Sequence, residues 1–480
     1  MLIEDLYRRP YHEYLNDIIK NMVDGVISEN EMIVQEIKEW LNCEIRKNMI
    51  IGESYYRNKT DIRDKKKRDV DWKSNVKLEH GFTKKLVDQK VGYLLTKEPT
   101  IASENKTYTK LLGDIFNREL LKTLKNTGKE AINKGIAYLY VYFNEEGELS
   151  FKRFKSEQIL PFWKDDEHTE LAAFIRVYDE YIYMNGKKEK QTKVEYHHSG
   201  GINFFILEGG KLVADVPSGI NRNYHFTINE EPYLWTRIPL IPFKYNEEEQ
   251  PLIDSIKSLI DNYNNQASTN ADLLADIPNI IYKLVNYGGA DLAEFLADLN
   301  FYRAVKLDED GDVDKLQADP ATDATEKELE RTRANIYEFG RGLDQKDKDL
   351  GNASGKAMRH KYGDLDMDCN ILESEFQSSI EHLIWFVNEY LLMIGKGDYT
   401  NVPVNFIFNR DIIINESEVI ADCQASTGII DDKTIRENHP WYTPEVESRL
   451  EEQKAKEQEM YDNYGATFNQ NKGGGVDGQE

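Results

Sequence analysis

Residues 354–393 read SGKAMRHKYGDLDMDCNILESEFQSSIEHLIWFVNEYLLM. Met358, Tyr362, Leu365, Cys369, Leu372, Phe376, Ile380, Leu383, Val387 and Tyr390 recur within them at spacings of three and four. On a helix that spacing lays the apolar side chains along one stripe. It predicts a rod of about 40 residues, roughly 60 Å long, entered through Ser354 as N-cap. Such a rod outreaches the core of a small enzyme. It fits either the seam of a coiled coil or a spoke within a large assembly.

Working outward, residues 251–276 repeat Leu252, Ile256, Leu259, Tyr263 and Ala267 at helical spacing, a second helix of about 38 Å. A third is expected over 325–343, beginning after the capping-type Thr325. Between them, 277–324 is mixed: NIIYKLVNYGG, DLAEFLADL, then the acidic turn DEDGDVD. Upstream, 135–245 switches to period two with aromatic runs, broken by EEGE, MNGK and EGGK, so hairpins build a sheet there. Residues 29–48 predict an amphipathic helix with Ile33, Ile37, Trp40 and Leu41 on one face. Another is expected over 78–95, carrying Phe82, Leu86, Val87, Lys90 and Tyr93 or Leu94, and stopped by Pro99. An α+β domain therefore covers roughly 1–245. Downstream, 401–415 alternates as a strand, 416–463 returns to charged helices, and 464–480 is expected to be disordered. The fold class is α+β, in several domains.

Of 480 residues, 40% are apolar and 31% charged, and 86 acids against 61 bases leave a net charge of −25. This composition excludes a disordered or membrane-embedded chain. It also argues against electrostatic gripping of DNA, where lysines and arginines displace counterions. A conduit that lets DNA pass without sticking would carry this sign. Cys43, Cys369 and Cys423 are far apart, without metal or redox spacing. MLIEDLYRRP lacks the order of a signal peptide. The most apolar run, Ile380 to Ile394, is interrupted by Glu381, His382, Asn388 and Glu389. No membrane is expected, and assembly in a cytoplasm is.

Apparent catalytic and metal motifs fail on spacing. GNASGKAM at 351–358 has three residues, rather than four, between Gly351 and Gly355, and Ala357 follows Lys356 where a phosphate loop needs Ser or Thr. Asp364, Asp366, Asp368 and Glu375 mimic calcium-loop positions, but Cys369 stands where the glycine must be, which leaves a solvated helix face as the expectation. Asp308, Asp310, Asp312 and Asp314 surround Gly311 in a turn. His197 and His198 meet no matching cysteine or carboxylate constellation. Lys65, Lys66, Lys67 and Arg68 are expected to be a solvated loop. The expectation is no enzyme, no cofactor and no metal.

Five strings, in order, carry a resemblance: GESYYRNKTDI (52–62), NVKLEHGFTKKLVDQKVGYLLTKEP (75–99), GIAYLYVYFNEEGELSFKRFKSEQILPFW (135–163), IPLIPFKYNEEEQPLIDSIKSLIDNYNNQASTNADLLADIPNIIYKLVNYGG (238–289) and LGNASGKAMRHKYGDLDMDC (350–369). Together they resemble the portal, or head–tail connector, proteins of siphophages infecting Gram-positive bacteria. The resemblance implies a ring of about twelve copies at one capsid vertex, through which double-stranded DNA is packaged and ejected. It implies a wing (1–250, with 354–415 as its long helix and strand), stem helices (251–276 and 325–343), a clip (277–324), a tunnel loop (344–353) and a crown (416–463). Implied partners are further copies of the chain, the terminase large subunit, a head-completion adaptor, and major capsid and scaffolding proteins. Another phage structural protein, a coiled-coil scaffold or minor head protein, is the alternative.

The tunnel loop would be the DNA-contacting element. Lys346 and Lys348 alternate there with Asp344, Asp347 and Asp349, and Asn352 follows. Duplex DNA carries a charge about every 1.7 Å, so lysines would touch phosphates transiently while aspartates prevent tight binding. Such contacts carry no sequence information.

Overall fold

A computed structural model describes residues 29–66, 74–184, 186–216, 222–228, 231–276, 281–285, 312–316, 322–346, 362–410, 416–442, 446–450 and 452–456, with positions 291, 293 and 301. The chain divides into two compact units, Met1–Asp347 with Lys361–Asp411, and Lys348–His360 with Ile412–Glu480. Both helices and strands build the first, an α+β architecture.

Helix α1 (Glu29–Asn42) buries Ile33, Ile37 and Trp40. The single helix expected over 29–48 is two helices. At Cys43 the backbone turns extended (φ −66°, ψ 155°), and its Sγ accepts the Arg46 N–H at 3.4 Å, capping α2 (Glu44–Tyr56). Helix α3 follows at Phe82–Leu94. Helices α4 (Lys106–Ile115) and α5 (Arg118–Lys134) begin at Asn105 and Asn117, each side-chain oxygen accepting two backbone N–H groups of the first turn.

Helix α5 feeds the sheet region through Gly135. Strand β1 (Thr100–Ala102) precedes it; β2 (Ile136–Phe143) lies between β3 (Leu149–Phe154) and the later β11 (Leu240–Lys244), all antiparallel. A five-stranded meander follows: β4 (Ile159–Trp163), β5 (Leu171–Met184), β6 (Lys187–His198), β7 (Gly201–Glu208) and β8 (Lys211–Ala214). Strands β9 (Phe226–Ile228) and β10 (Glu231–Tyr233) form a small hairpin. One apolar cluster joins Trp40 of α1, Tyr138 of β2, Trp163 of β4, Phe174 of β5 and Val194 of β6.

Helices α6 (Leu252–Asp276) and α7 (Thr322–Phe339) pack together with α3, and Phe82 sets its ring 5.0 Å from Tyr263 and 6.1 Å from Tyr337. Helix α7 begins three residues before the expected Thr325 and ends before 343, at Gly340–Gly342, where the Gly342 N–H donates to Tyr337 O at 2.9 Å. Asn264, Ser268 and Asp272, one turn apart on α6, accept the N–H groups of His80, Leu78 and Val76 in turn. The alternating donors of an extended segment thus match the i, i+4 rise of a helix. Lys65 pairs with buried Asp272 at 2.9 Å, so the expected solvated loop is at that position a structural contact. Lys67 and Arg68 lie outside the described residues.

Between α6 and α7, β12 (Ile281–Val285) pairs antiparallel with β13 (Asp312–Leu316). Asp312 and Asp314 are strand residues; Asp308 and Asp310 lie outside the description. Helix α8 runs from Gly363 to Met393, 31 residues, about 46 Å. Ser354, Lys356 and Met358 also lie outside the described residues. The predicted stripe is buried within its own unit: Leu365, Cys369, Leu372, Phe376, Ile380, Leu383 and Val387 are sequestered, Phe376 lies 4.9 Å from Phe243 of β11, and Ser379 donates to Pro242 O at 2.7 Å. The seam is filled by sheet and helix of the same chain, which removes the ground for an intermolecular coiled coil.

Within the described residues 401–410 of the strand expected over 401–415, β14 (Asn405–Ile407) pairs with the three residues of β1, and 411–415 lie outside the described residues. In the second unit, α9 (Glu416–Ala425) precedes α10 (Asp432–Glu437), which is capped by Asp431 and tied through Arg436 to Glu447; 446–450 and 452–456 are helical. The tail 464–480 lies outside the described residues.

Candidate functional site

The segment named by the sequence leaves α7 at Gly340. Of its candidate residues the structure describes Asp344 and Lys346; Asp347, Lys348, Asp349 and Asn352 lie outside the described residues. Lys346 is exposed, and its N–H donates to Asp344 Oδ1 at 3.0 Å. Asp344 is held by Arg333 of α7 in a two-pronged pair, Nε to Oδ2 and NH2 to Oδ1, each 2.6 Å. A fork of this kind fixes direction as well as charge. Asp344 therefore does not present the free negative charge expected of it.

Burial would raise the Asp344 carboxyl, but the Arg333 guanidinium and the Lys346 N–H hold it below the usual carboxylate range. A depressed acid contributes stability that is complete above its unfolded value, about 3.9, and is lost as pH falls through the lower folded value. A carboxyl-carbon NMR titration of Asp344 is expected to show a midpoint below that of an exposed aspartate. In Arg333→Gln the midpoint is expected to return to the ordinary range.

One face of α3 grips both sides of this segment. Leu86, Gln89, Lys90 and Tyr93 stand at i, i+3, i+4 and i+7 and so point the same way. Leu86 fills the space over Gly340 and Gly342, where an added Cβ would meet its methyls at 2.7 and 2.1 Å. Gln89 accepts the Leu343 N–H at 3.2 Å and donates to Leu343 O at 2.7 Å. Lys90, fully buried, donates to Arg341 O at 3.0 Å and to Asp368 Oδ2 at 2.7 Å. One ammonium thus joins the turn that follows α7 to the first turns of α8. Asp368 also accepts the Tyr245 hydroxyl at 2.7 Å and faces the Arg341 guanidinium at 3.6 Å. Arg341 itself sits at φ 47°, a region costing about 1–2 kcal/mol for a residue with a Cβ.

Tyr93 donates to Asp366 at 2.6 Å and stacks on Tyr362, 5.9 Å away. Burial, reinforced by the Asp366 carboxylate, pushes its hydroxyl up to about 12. Arg410 pairs with Asp366 and, at 2.7 Å, with Glu373. The solvated face expected for the aspartate triplet holds for Asp364, which is exposed, and is corrected for Asp368, which is buried against Lys90 of α3; half-buried Asp366 is spent on Tyr93 and Arg410.

The arrangement immobilises the turn that follows α7. Among the described residues, no group of three His, Cys, Asp or Glu could hold a metal ion, and no helix is long and apolar enough to cross a membrane. His197 is buried in β6 and stacked 4.2 Å from Phe174. Sequence reading took Lys90 as part of an apolar stripe and missed Gln89, Tyr245 and Arg333. A lysine at a stripe position was the available signal, since a buried ammonium must be paired.

Comparison with known proteins bears on this framework. Residues 42–460 match the family described as phage portal protein, SPP1 Gp6-like. The chain is 30% identical over 472 residues to the portal protein of Bacillus phage SPP1, covering 95% of this chain and 92% of the relative. It is 31% identical over 444 residues to the portal protein of Clostridium phage phiCD119, covering 87% and 95%. A solved chain from the neck of a native GTA particle computed with C12 symmetry aligns with TM-score 0.40 and 12% identity, covering 74% of this chain and 88% of that one.

Proposed function

Because the chain belongs to the SPP1 Gp6-like family of phage portal proteins, we propose that it forms the vertex ring through which double-stranded DNA enters and leaves the capsid. As a portal protein it is a virion component. The observation that carries the reading is the family match over residues 42–460. In this reading about twelve copies make the ring, through head-to-tail contacts that close by rotation. In this reading 1–250 and 354–415 form the wing, α6 and α7 the stem, 277–324 the clip, and 416–463 the crown. The clip meets the terminase large subunit and then the head-completion adaptor, and capsid and scaffolding proteins surround the wing. Assembly takes place in the host cytoplasm. The protein is assigned no catalytic role.

Within that ring the segment 344–352 faces DNA. Its support is the anchorage of its first residues: Gln89 of α3 holds Leu343 and Arg333 of α7 holds Asp344, leaving the exposed Lys346 beside it. With Asp344 neutralised by Arg333, the restraining negative charge in the loop falls to Asp347 and Asp349. Lys346→Ala/Lys348→Ala rings are expected to assemble normally but to change the rate of packaging and the retention of packaged DNA. DNA-protection assays on filled heads check this, and wild-type packaging and retention would remove the lysines from the mechanism. Negative-stain microscopy of the purified protein tests the ring itself.

A further inference from the structure

A cleft of about 800 Å³ opens among β2, β3, the inner ends of β5 to β7 and the last turn of α8. Its charge is unlike that of the chain. Lys152, Arg176 and Arg222 line it against Glu145 and Glu195, three cations to two acids, in a protein whose formal charge is −25. The Lys152 ammonium lies 4.8 Å from the ring centre of Tyr142 and 5.3 Å from that of Tyr140, with no carboxylate in ion-pair range among the described residues. Arg176 lies 4.1 Å over Phe154 and 3.3 Å from Glu195, which also takes the Tyr178 hydroxyl at 2.8 Å. Arg176 Nε and His197 Nδ1 are buried without a hydrogen-bond partner among the described residues. His197 is 2% exposed and lines the inner end of the cleft.

We propose that this cleft receives an acidic segment of the neighbouring copy of the chain, one carboxylate settling between Lys152 and Arg176 with an adjoining apolar side chain against the Tyr140–Tyr142 wall. This rests on the ring reading above. The Lys152 ammonium, with no carboxylate in ion-pair range among the described residues, suits a single carboxylate. The repeated charges of a nucleotide or DNA backbone would meet Glu195 and Glu145. Copies that each carry −25 repel one another, so a closed ring needs local complementarity at its head-to-tail contacts. A cation-rich, aromatic cleft on an acidic chain supplies one half of such a contact, and 86 acidic residues supply ample choice for the other.

The full-length chain tests this through Lys152→Glu/Arg222→Glu, both exposed positions, against Lys110→Glu/Lys122→Glu, exposed positions outside the cleft with the same change of net charge. Sedimentation velocity is expected to show at least ten-fold weaker self-association for the cleft variant and little change for the control, with matching circular-dichroism melts. An intact ring in the cleft variant, or equal loss in both, overturns the proposal. A wild-type chain that never forms a ring overturns the ring reading instead. Should the cleft variant fold poorly, a photo-crosslinker at Thr227 of otherwise wild-type protein decides. An interchain product carrying an Asp or Glu peptide supports the contact, and intrachain or foreign products overturn it.

Discussion

Lys90→Met is expected to destabilise the protein by about 3–5 kcal/mol, because it strands a buried carboxylate. The Asp368 side chain is 9% exposed and, among the described residues, keeps the Tyr245 hydroxyl and the Arg341 guanidinium at 3.6 Å, while Arg341 O loses its donor. Against a typical total of about 5–15 kcal/mol, the loss should appear plainly in urea unfolding. Lys90→Met/Asp368→Asn should recover about half of it, since no uncompensated charge then remains inside. Cys369 gives an independent readout. Burial pushes its thiol up to about 12, and it should resist alkylation in the native protein yet react measurably faster in Lys90→Met. A loss below about 1 kcal/mol would mean the ammonium is not the tie described here.

Gly135→Ala is expected to cost about 3 kcal/mol or more, through two separate effects. Gly135 sits at φ 84°, where a Cβ is strained. An added Cβ would also stand 1.8 Å from Glu249 O and 2.5 Å from its carbonyl carbon, backbone atoms that cannot swing aside. The residue ends α5, donates to Ala131 O at 2.7 Å, and accepts the Tyr245 N–H at 2.8 Å. A shift there disturbs β2 and β11 together. Gly147→Ala separates the effects: its φ is 79°, but nothing lies within 4 Å of the added Cβ. That variant should cost about 1–2 kcal/mol, and thermal unfolding of the pair compares them directly.

The elements that sequence reading placed well are those whose pattern is long and unopposed. Helix α6 was read to within one residue because 25 residues repeat without a breaker. The α8 stripe was read as an apolar seam, and from Leu365 to Val387 it is buried; periodicity cannot say whether the partner is another copy or β11 of the same chain. The break at Cys43 escaped notice because neither Gly nor Pro marks it. The Asn105 and Asn117 caps were available signals for α4 and α5 that went unread. Over the described residues 401–410 the alternation yields only Asn405–Ile407 as strand, since β1 offers three residues to pair with. At the site, the alternating charges of 344–349 were visible, whereas the grip on them was not. Its bonds join residues 251 and 278 positions apart, and no local pattern encodes such pairs.

Those same separations impose an order of events on the growing chain. Lys90 emerges early in synthesis, while Arg341 and Asp368 follow only after most of the polypeptide has been made. The sheet region and α5, built from contacts closer in sequence, can condense beforehand. Until α7 and α8 arrive, the Lys90 ammonium stays hydrated and the segment between them has no fixed anchorage. The clamp therefore closes late, as a completion step, and protomers finished only in part lack the tie that joins the end of α7 to α8.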